Sequence, residues 1–173
     1  MELSRIQKII LPVTFIAGAL WLGGYVSRVL IGFQLFQERD YLLKDFFNPA
    51  SLDVVFFSQN PILTLTLITY PVFIVGFLIF LFTTKLKLKN NGWLFIITVI
   101  ILFTAPFELY LLSIDYKIFS AVNSGVFNPN DILTLTIKRF KVLSSFPIIE
   151  IASYFAVICM FILKPFTKKT NEN

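Results

Sequence analysis

The chain has 173 residues, of which 57% are hydrophobic and only 14% are charged, and its mean hydropathy is +0.80. A soluble domain carries about 25% charged residues, so this composition excludes a water-soluble protein and indicates a single domain whose solvent is lipid. There is no histidine, and Cys159 is the one cysteine, which excludes histidine-bound zinc or haem, histidine acid–base catalysis and an internal disulfide.

Four apolar segments are each long enough to cross the hydrocarbon of a bilayer, which is roughly 30 Å thick and takes about 20 helical residues. They cover residues 9–36, 61–82, 93–112 and 142–163. Each apolar run is continuous, whereas the strands of a barrel alternate. The sequence therefore predicts an all-α membrane protein, a four-transmembrane-helix bundle that forms one domain over residues 1–173.

A short stretch of the second half repeats one of the first half. Residues 60–67 (NPILTLTL) match residues 130–137 (NDILTLTI), while a second similarity, FNP at 47–49 and at 127–129, has a different offset. Two interpretations stay open. The chain is a duplication of two helical hairpins, or the similarity is chance in a sequence rich in leucine and threonine.

Both copies also have the residues of a helix start. In the first copy Asn60 is a natural cap with Pro61 in the first turn. In the second copy basic residues follow too soon for a buried span, so we expect an amphipathic helix over residues 132–141, a bend near Pro147 and then the fourth span. Residues 41–57 are too apolar for a solvated linker, and we expect short amphipathic helices there as well.

The orientation follows from lysines near the ends of the predicted spans. Lys85, Lys87 and Lys89 lie in the short connection between the second and third spans, which favours a cytoplasmic position for that connection and for both termini. We expect an integral protein of a bacterial cytoplasmic membrane. The net charge of +5 is explained by this topology, so no nucleic-acid partner is expected.

Three ionisable residues interrupt the apolar runs: Arg28, Glu108 and Glu150. A charge at the bilayer centre costs about 3 kcal/mol on insertion scales, so such residues usually pair or carry a function. Counting helical rise places all three in the same half of the membrane. Arg28 has a second interpretation, in which the hydrocarbon span ends near Val26 and the arginine reaches the headgroups.

Prolines accompany these residues. Pro106 precedes Glu108 and Pro147 precedes Glu150, and Pro71 lies in the second span. A proline inside a helix leaves one carbonyl without its donor, so we predict helix bends at these three positions.

The polar residues have two interpretations. They form a structural ion pair, with Arg28 bound to Glu108 or Glu150, or they form a proton- or ion-linked site. The pairing itself is a prediction under either interpretation. Asp115 and Asp131 are expected to be exposed loop acids.

No catalytic set is visible, and we expect no cofactor, no metal site and no enzymatic activity. The leading hypothesis is a non-enzymatic accessory or assembly subunit, with the bilayer and other membrane subunits, or further copies of the chain, as partners. The alternative is a homo-oligomeric ion- or proton-linked transporter or channel that uses Glu108 and Glu150. A weaker alternative is a lipid-modifying membrane enzyme.

Overall fold

The structure is a computed structural model that describes residues 4–37, 41–84, 86–125, 128–143 and 146–167. Within these ranges the regular structure is helical. The elements are α1 (Arg5–Leu35), α2 (Pro49–Thr83), a 3-10 turn (Leu88–Asn90), α3 (Gly92–Asn123), α4 (Pro129–Leu143) and α5 (Phe146–Leu163).

Four of these helices, α1, α2, α3 and α5, are long and apolar enough to cross a membrane. The predicted all-α, four-transmembrane-helix architecture is confirmed. The remaining helix, α4, covers the predicted amphipathic segment at residues 132–141. Among the described residues Pro147 lies in the first turn of α5, and Pro71 and Pro106 lie inside α2 and α3.

Helix α2 begins at Pro49, twelve residues before Pro61, so the predicted start at Asn60–Pro61 was wrong. Asn48 caps it: the Asn48 side chain accepts from the Ser51 backbone N–H at 2.9 Å, and the Ser51 hydroxyl accepts from the Asn48 N–H at 2.8 Å. Pro49 then stands in the first turn, where its missing N–H costs nothing. Helix packing extends the helix through Pro61, because the preceding Leu52 and Phe56 are buried against other helices.

The fourth helix starts in the same way. The Asn128 side chain accepts from the Asn130 backbone N–H at 3.0 Å, with Pro129 as the first helical residue. Helix α2 and the α4–α5 pair therefore begin 80 residues apart, and they also end 80 residues apart. The second sequence similarity, and not the longer one, marks equivalent helix starts. The duplication itself stays a prediction.

The bundle has two distinct sides. We call the side on which α1 begins and α5 ends the terminal side, and the opposite one the distal side. With 35 and 32 residues, α2 and α3 are each about 50 Å long, well beyond the roughly 30 Å of hydrocarbon. Their excess length and α4 form a distal head (residues 41–62 and 113–143, where described), packed around Leu52, Phe56, Ile114, Ile118 and Ile132.

The chain between α1 and α2 is held to the end of α1 and is not a separate helix at residues 41–48. The Gln37 N–H donates to the Leu42 carbonyl at 2.7 Å, and the Lys44 N–H donates to the Leu35 carbonyl at 3.1 Å. The helical content expected for residues 41–57 starts at Pro49 and is continuous with the second span.

Helix α4 packs against the end of α1 at Gly32. The ring of Phe140 lies directly over this glycine, and the same ring contacts Phe36 and Tyr41 with centroids 5.9 and 6.2 Å away. The absence of a side chain at residue 32 is what leaves room for the Phe140 ring against α1.

Replacing Gly32 by alanine should destabilise the protein, because the added methyl group would overlap the ring of Phe140. Overpacking of this kind costs about 1–3 kcal/mol, which a lower thermal unfolding temperature in detergent would report. Gly23→Ala is the matched control, since nothing lies within 4 Å of a methyl group added there. Equal unfolding temperatures for the two variants would contradict the close packing of α1 on α4.

Candidate functional site

Asp115 of α3 binds two arginines inside the protein. The Arg28 Nη2 of α1 donates to Asp115 Oδ1 at 2.7 Å while its Nη1 donates to Oδ2, and the Arg139 Nε of α4 donates to Oδ1 at 2.8 Å. Asp115 and Arg139 are almost fully buried. We call Arg28, Asp115 and Arg139 the ionic clasp, since it connects three helices through charge-assisted hydrogen bonds.

The predicted pairing of Arg28 with Glu108 or Glu150 is therefore wrong, because the carboxylate that Arg28 binds is Asp115. The expectation that Asp115 is an exposed loop acid is also wrong. Helix α3 continues from the predicted end at residue 112 to Asn123, which carries Asp115 into the interior. The interpretation of Arg28 as a headgroup-reaching residue fails too, since its guanidinium is engaged inside the bundle.

The sequence analysis did not name Asp115 or Arg139 as members of the buried polar site. One signal was available for the acid: Asp115 lies seven residues after Glu108, a spacing that places both on one face of a helix. The other buried residues of that face share this periodicity, and they are Ile101, Thr104, Leu111, Ile118 and Val122.

Arg139 also contacts an aromatic ring. Its guanidinium carbon lies 5.5 Å from the ring centroid of Tyr25, a cation–π arrangement. Burial alone would lower the pKa of the Arg139 guanidinium, but the nearby carboxylates of Asp115 and Glu108 more than offset it and raise that pKa above its usual value. Arg139 is a permanent cation.

Glu108 of α3 and Glu150 of α5 form a carboxyl pair next to the clasp. Their relative exposures are 1% and 0%. The two carboxyl groups interact with each other, and Glu150 also interacts with the hydroxyl of Tyr25. None of these contacts reaches regular hydrogen-bond geometry, so both oxygens of Glu150, Oε1 of Glu108 and the Tyr25 hydroxyl have no hydrogen-bond partner among the described residues.

Further buried polar groups lie on the terminal side of the carboxyl pair, and with it they form a buried polar layer. The hydroxyls of Tyr154 (α5) and Thr104 (α3) are 3.0 Å apart, and Tyr70 of α2 is completely buried nearby with its hydroxyl close to Tyr154. The Trp21 ring packs on the rings of Tyr70 and Tyr154 with centroids 4.9 and 4.6 Å away. All four membrane-spanning helices thus contribute to one buried polar layer.

Helical rise gives the depth of each group. Arg28 lies about 30 Å past Lys8, and Asp115 lies about 33 Å past Trp93. The clasp therefore sits near the distal edge of the hydrocarbon. Glu108 lies only about 22 Å past Trp93, which places the carboxyl pair roughly 10 Å deeper.

The predicted bend prolines are neighbours of this polar layer. Pro71 follows Tyr70, Pro106 lies two residues before Glu108, and Pro147 lies three residues before Glu150. Pro71 and Pro106 each withhold one backbone N–H from the interior of their helices, whereas Pro147 is in the first turn of α5, where the missing N–H breaks no helical hydrogen bond. The bends themselves stay a prediction.

The ionic clasp and the Glu108–Glu150 pair together hold five ionisable side chains, and their charges do not balance. Two guanidinium groups accompany three carboxyl groups, so full ionisation would leave one net negative charge among side chains that are almost fully buried. Such a charge is costly without a counter-ion. One proton shared by Glu108 and Glu150 makes the layer neutral. The arrangement is therefore suited to binding a proton.

In the parts of the chain that the structure describes, no group of three or more cysteine, aspartate or glutamate residues is placed to hold a metal ion. Comparison with known proteins gives no further assignment: no family model, no curated protein and no solved structure matches the chain.

Replacing Asp115 by asparagine should strongly destabilise the protein, because Arg28 and Arg139 would both lose their counter-charge. Breaking a buried ion pair from one side costs about 3–5 kcal/mol, to be measured as a drop in thermal unfolding temperature in detergent. Asp53→Asn is the control, since Asp53 is an exposed acid of α2.

A second variant keeps this test decisive if Asp115→Asn does not fold. The triple replacement Arg28→Met, Asp115→Leu and Arg139→Met removes all three charges and should be far more stable than Asp115→Asn alone. A triple variant no more stable than Asp115→Asn, or an Asp115→Asn variant as stable as Asp53→Asn, would contradict the ionic clasp.

Proposed function

We propose that the protein is a non-enzymatic accessory or assembly subunit of a larger membrane complex and that it binds a partner through its distal head. The observation that supports this is an exposed apolar face at the start of α2. Val54 and Phe57 are both 68% exposed, and they are three residues apart, on one side of the helix. Phe46, just before α2, is 71% exposed.

These residues lie too far from the hydrocarbon for lipid to cover them. Counting about 20 residues back from Thr83 brings the distal edge of the hydrocarbon to about Leu63. Phe57 and Val54 lie about 9 and 13 Å beyond that edge, whereas a headgroup layer adds only about 5–7 Å on each side. Exposed apolar surface in that position is typical of a protein–protein contact.

The orientation stays part of the proposal. Four crossings place the start of α1 and the end of α5 on the terminal side, and Lys8, Lys87, Lys89 and Lys164 lie near that side. This distribution favours a cytoplasmic terminal side in a bacterial cytoplasmic membrane. Lys85, which contributed to the same prediction, lies outside the described residues.

Affinity purification from native membranes in a mild detergent tests the proposal. We expect a membrane protein to co-purify in stoichiometric amount and the double variant Val54→Ser, Phe57→Ser to lose it, because those side chains form the contact. Phe82→Ser is the matched control on the same helix, since Phe82 is 84% exposed but lies at the terminal end. A wild-type protein that purifies without a partner would contradict the proposal.

A second candidate function is a proton-linked transporter or channel built from several copies of the chain. The carboxyl pair favours it, since Glu150 is buried with neither oxygen hydrogen-bonded and the charge balance of the layer calls for one proton. A group of this kind inside a membrane protein often belongs to a proton pathway. The lipid-modifying enzyme has no comparable support among the described residues.

The shared proton can be tested directly. Either Glu108→Gln or Glu150→Gln leaves two carboxylates facing two guanidinium groups, a neutral layer that needs no proton. We therefore expect the infrared band of a protonated carboxyl group in the wild-type protein and its loss in each single variant, with little change in stability. Asp53→Asn should keep the band.

Transport itself is tested in proteoliposomes loaded with a pH-sensitive dye. Proton flux that the wild-type protein supports and both glutamine variants lose would favour the transporter. A shared proton without flux would leave the carboxyl pair as a structural element of the subunit and count against this second candidate.

A further inference from the structure

An apolar cleft of about 530 Å³ lies between α1 and α5 in the terminal half of the bundle. Its walls come from all four membrane-spanning helices, and α1 contributes residues along its length from Leu11 to Leu22. Representative lining residues are Leu11, Gly18, Leu22, Phe73, Ile97 and Val157.

The cleft has the dimensions of one hydrocarbon chain. From Leu11 to Leu22 the axis of α1 rises about 16 Å, and one leaflet of a bilayer's hydrocarbon is about 15 Å deep.

The cleft also faces lipid. Ile16 and Ile162 line it and are 61% and 71% exposed, on helices that lie among acyl chains. An apolar void left empty loses the dispersion contacts of its walls, and the surrounding bilayer supplies hydrocarbon to fill it.

Two lysines lie close in the chain to lining residues at the terminal end of the cleft. Lys8 lies one helical turn before Leu11, and Lys164 lies two residues after Ile162. The Lys164 ammonium is 6.0 Å from the ring centroid of Trp93. Both are at the level where the headgroups of that leaflet begin, so a negatively charged headgroup is favoured there.

We propose that the cleft binds one acyl chain of an anionic glycerophospholipid of the terminal-side leaflet, with its phosphate near Lys8 and Lys164. Tyr154 is one of the lining residues, and it also packs on Trp21 and contacts Thr104. The cleft therefore borders the buried polar groups of the bundle. This lipid site is separate from the protein contact proposed for the distal head.

Quenching of tryptophan fluorescence by brominated phospholipids tests the site. Trp21 is 1% exposed, so lipid around the protein does not contact it, but it packs on Phe73 and Tyr154, which line the cleft. In a Trp93→Phe background Trp21 is the one tryptophan. We expect brominated anionic phospholipid in vesicles to quench it.

Filling the cleft provides the decisive comparison. Ala19 lines the cleft, whereas the adjacent Leu20 is 45% exposed and does not. Ala19→Phe should abolish most of the quenching, and Leu20→Phe should leave it unchanged. Lys8→Gln and Lys164→Gln should each weaken the apparent affinity for the anionic lipid about five-fold.

Each component of the proposal has an outcome that overturns it. Equal quenching in Ala19→Phe and Leu20→Phe would show that no chain occupies the cleft. Equal quenching by anionic and zwitterionic brominated lipids, unaffected by the lysine variants, would refute the headgroup contact. Cross-linking of the cleft to a co-purifying transmembrane helix would replace the lipid with a protein partner.

Discussion

The carboxylate of Asp115 is the interaction on which the arrangement of helices depends. It is the counter-charge that Arg28 and Arg139 share, and each of these arginines, buried on α1 and α4, would be costly without one. Because it links α3 to both α1 and α4, it determines where α4 lies and how the distal head packs on the membrane-spanning helices. The ring of Phe140 on α4 lies over Gly32 of α1 and adds an apolar contact between the same two helices.

The polar and apolar features of the bundle lie at three depths. The ionic clasp is near the distal edge of the hydrocarbon, the Glu108–Glu150 pair is roughly 10 Å deeper, and the apolar cleft occupies the terminal half. Tyr154 connects the last two, since it lines the cleft and lies one helical turn after Glu150 on α5.

The buried charges and the exposed apolar face support different aspects of the proposed role. Since the arginines find their partner within the chain, the clasp needs no second protein to stabilise it. The face at Val54 and Phe57 has no such internal partner, and it lies beyond the reach of lipid. Association through the distal head would remove that surface from water, while the carboxyl pair stays inside the subunit.

The sequence by itself determined the class of protein, the four spans and two of the buried acids. Lipid requires each crossing to be long, apolar and helical, and these are local properties; Glu108 and Glu150 stand out because a charge in such a run is exceptional. Asp115 and Arg139 lie among other charges, so no local anomaly marked them. Only the tertiary structure decided their pairing, since Arg28 and Asp115 are 87 residues apart in the chain. It also decided between the caps Asn48 and Asn60, because both have the same local Asn-Pro signal and the burial of Leu52 and Phe56 favours the earlier start.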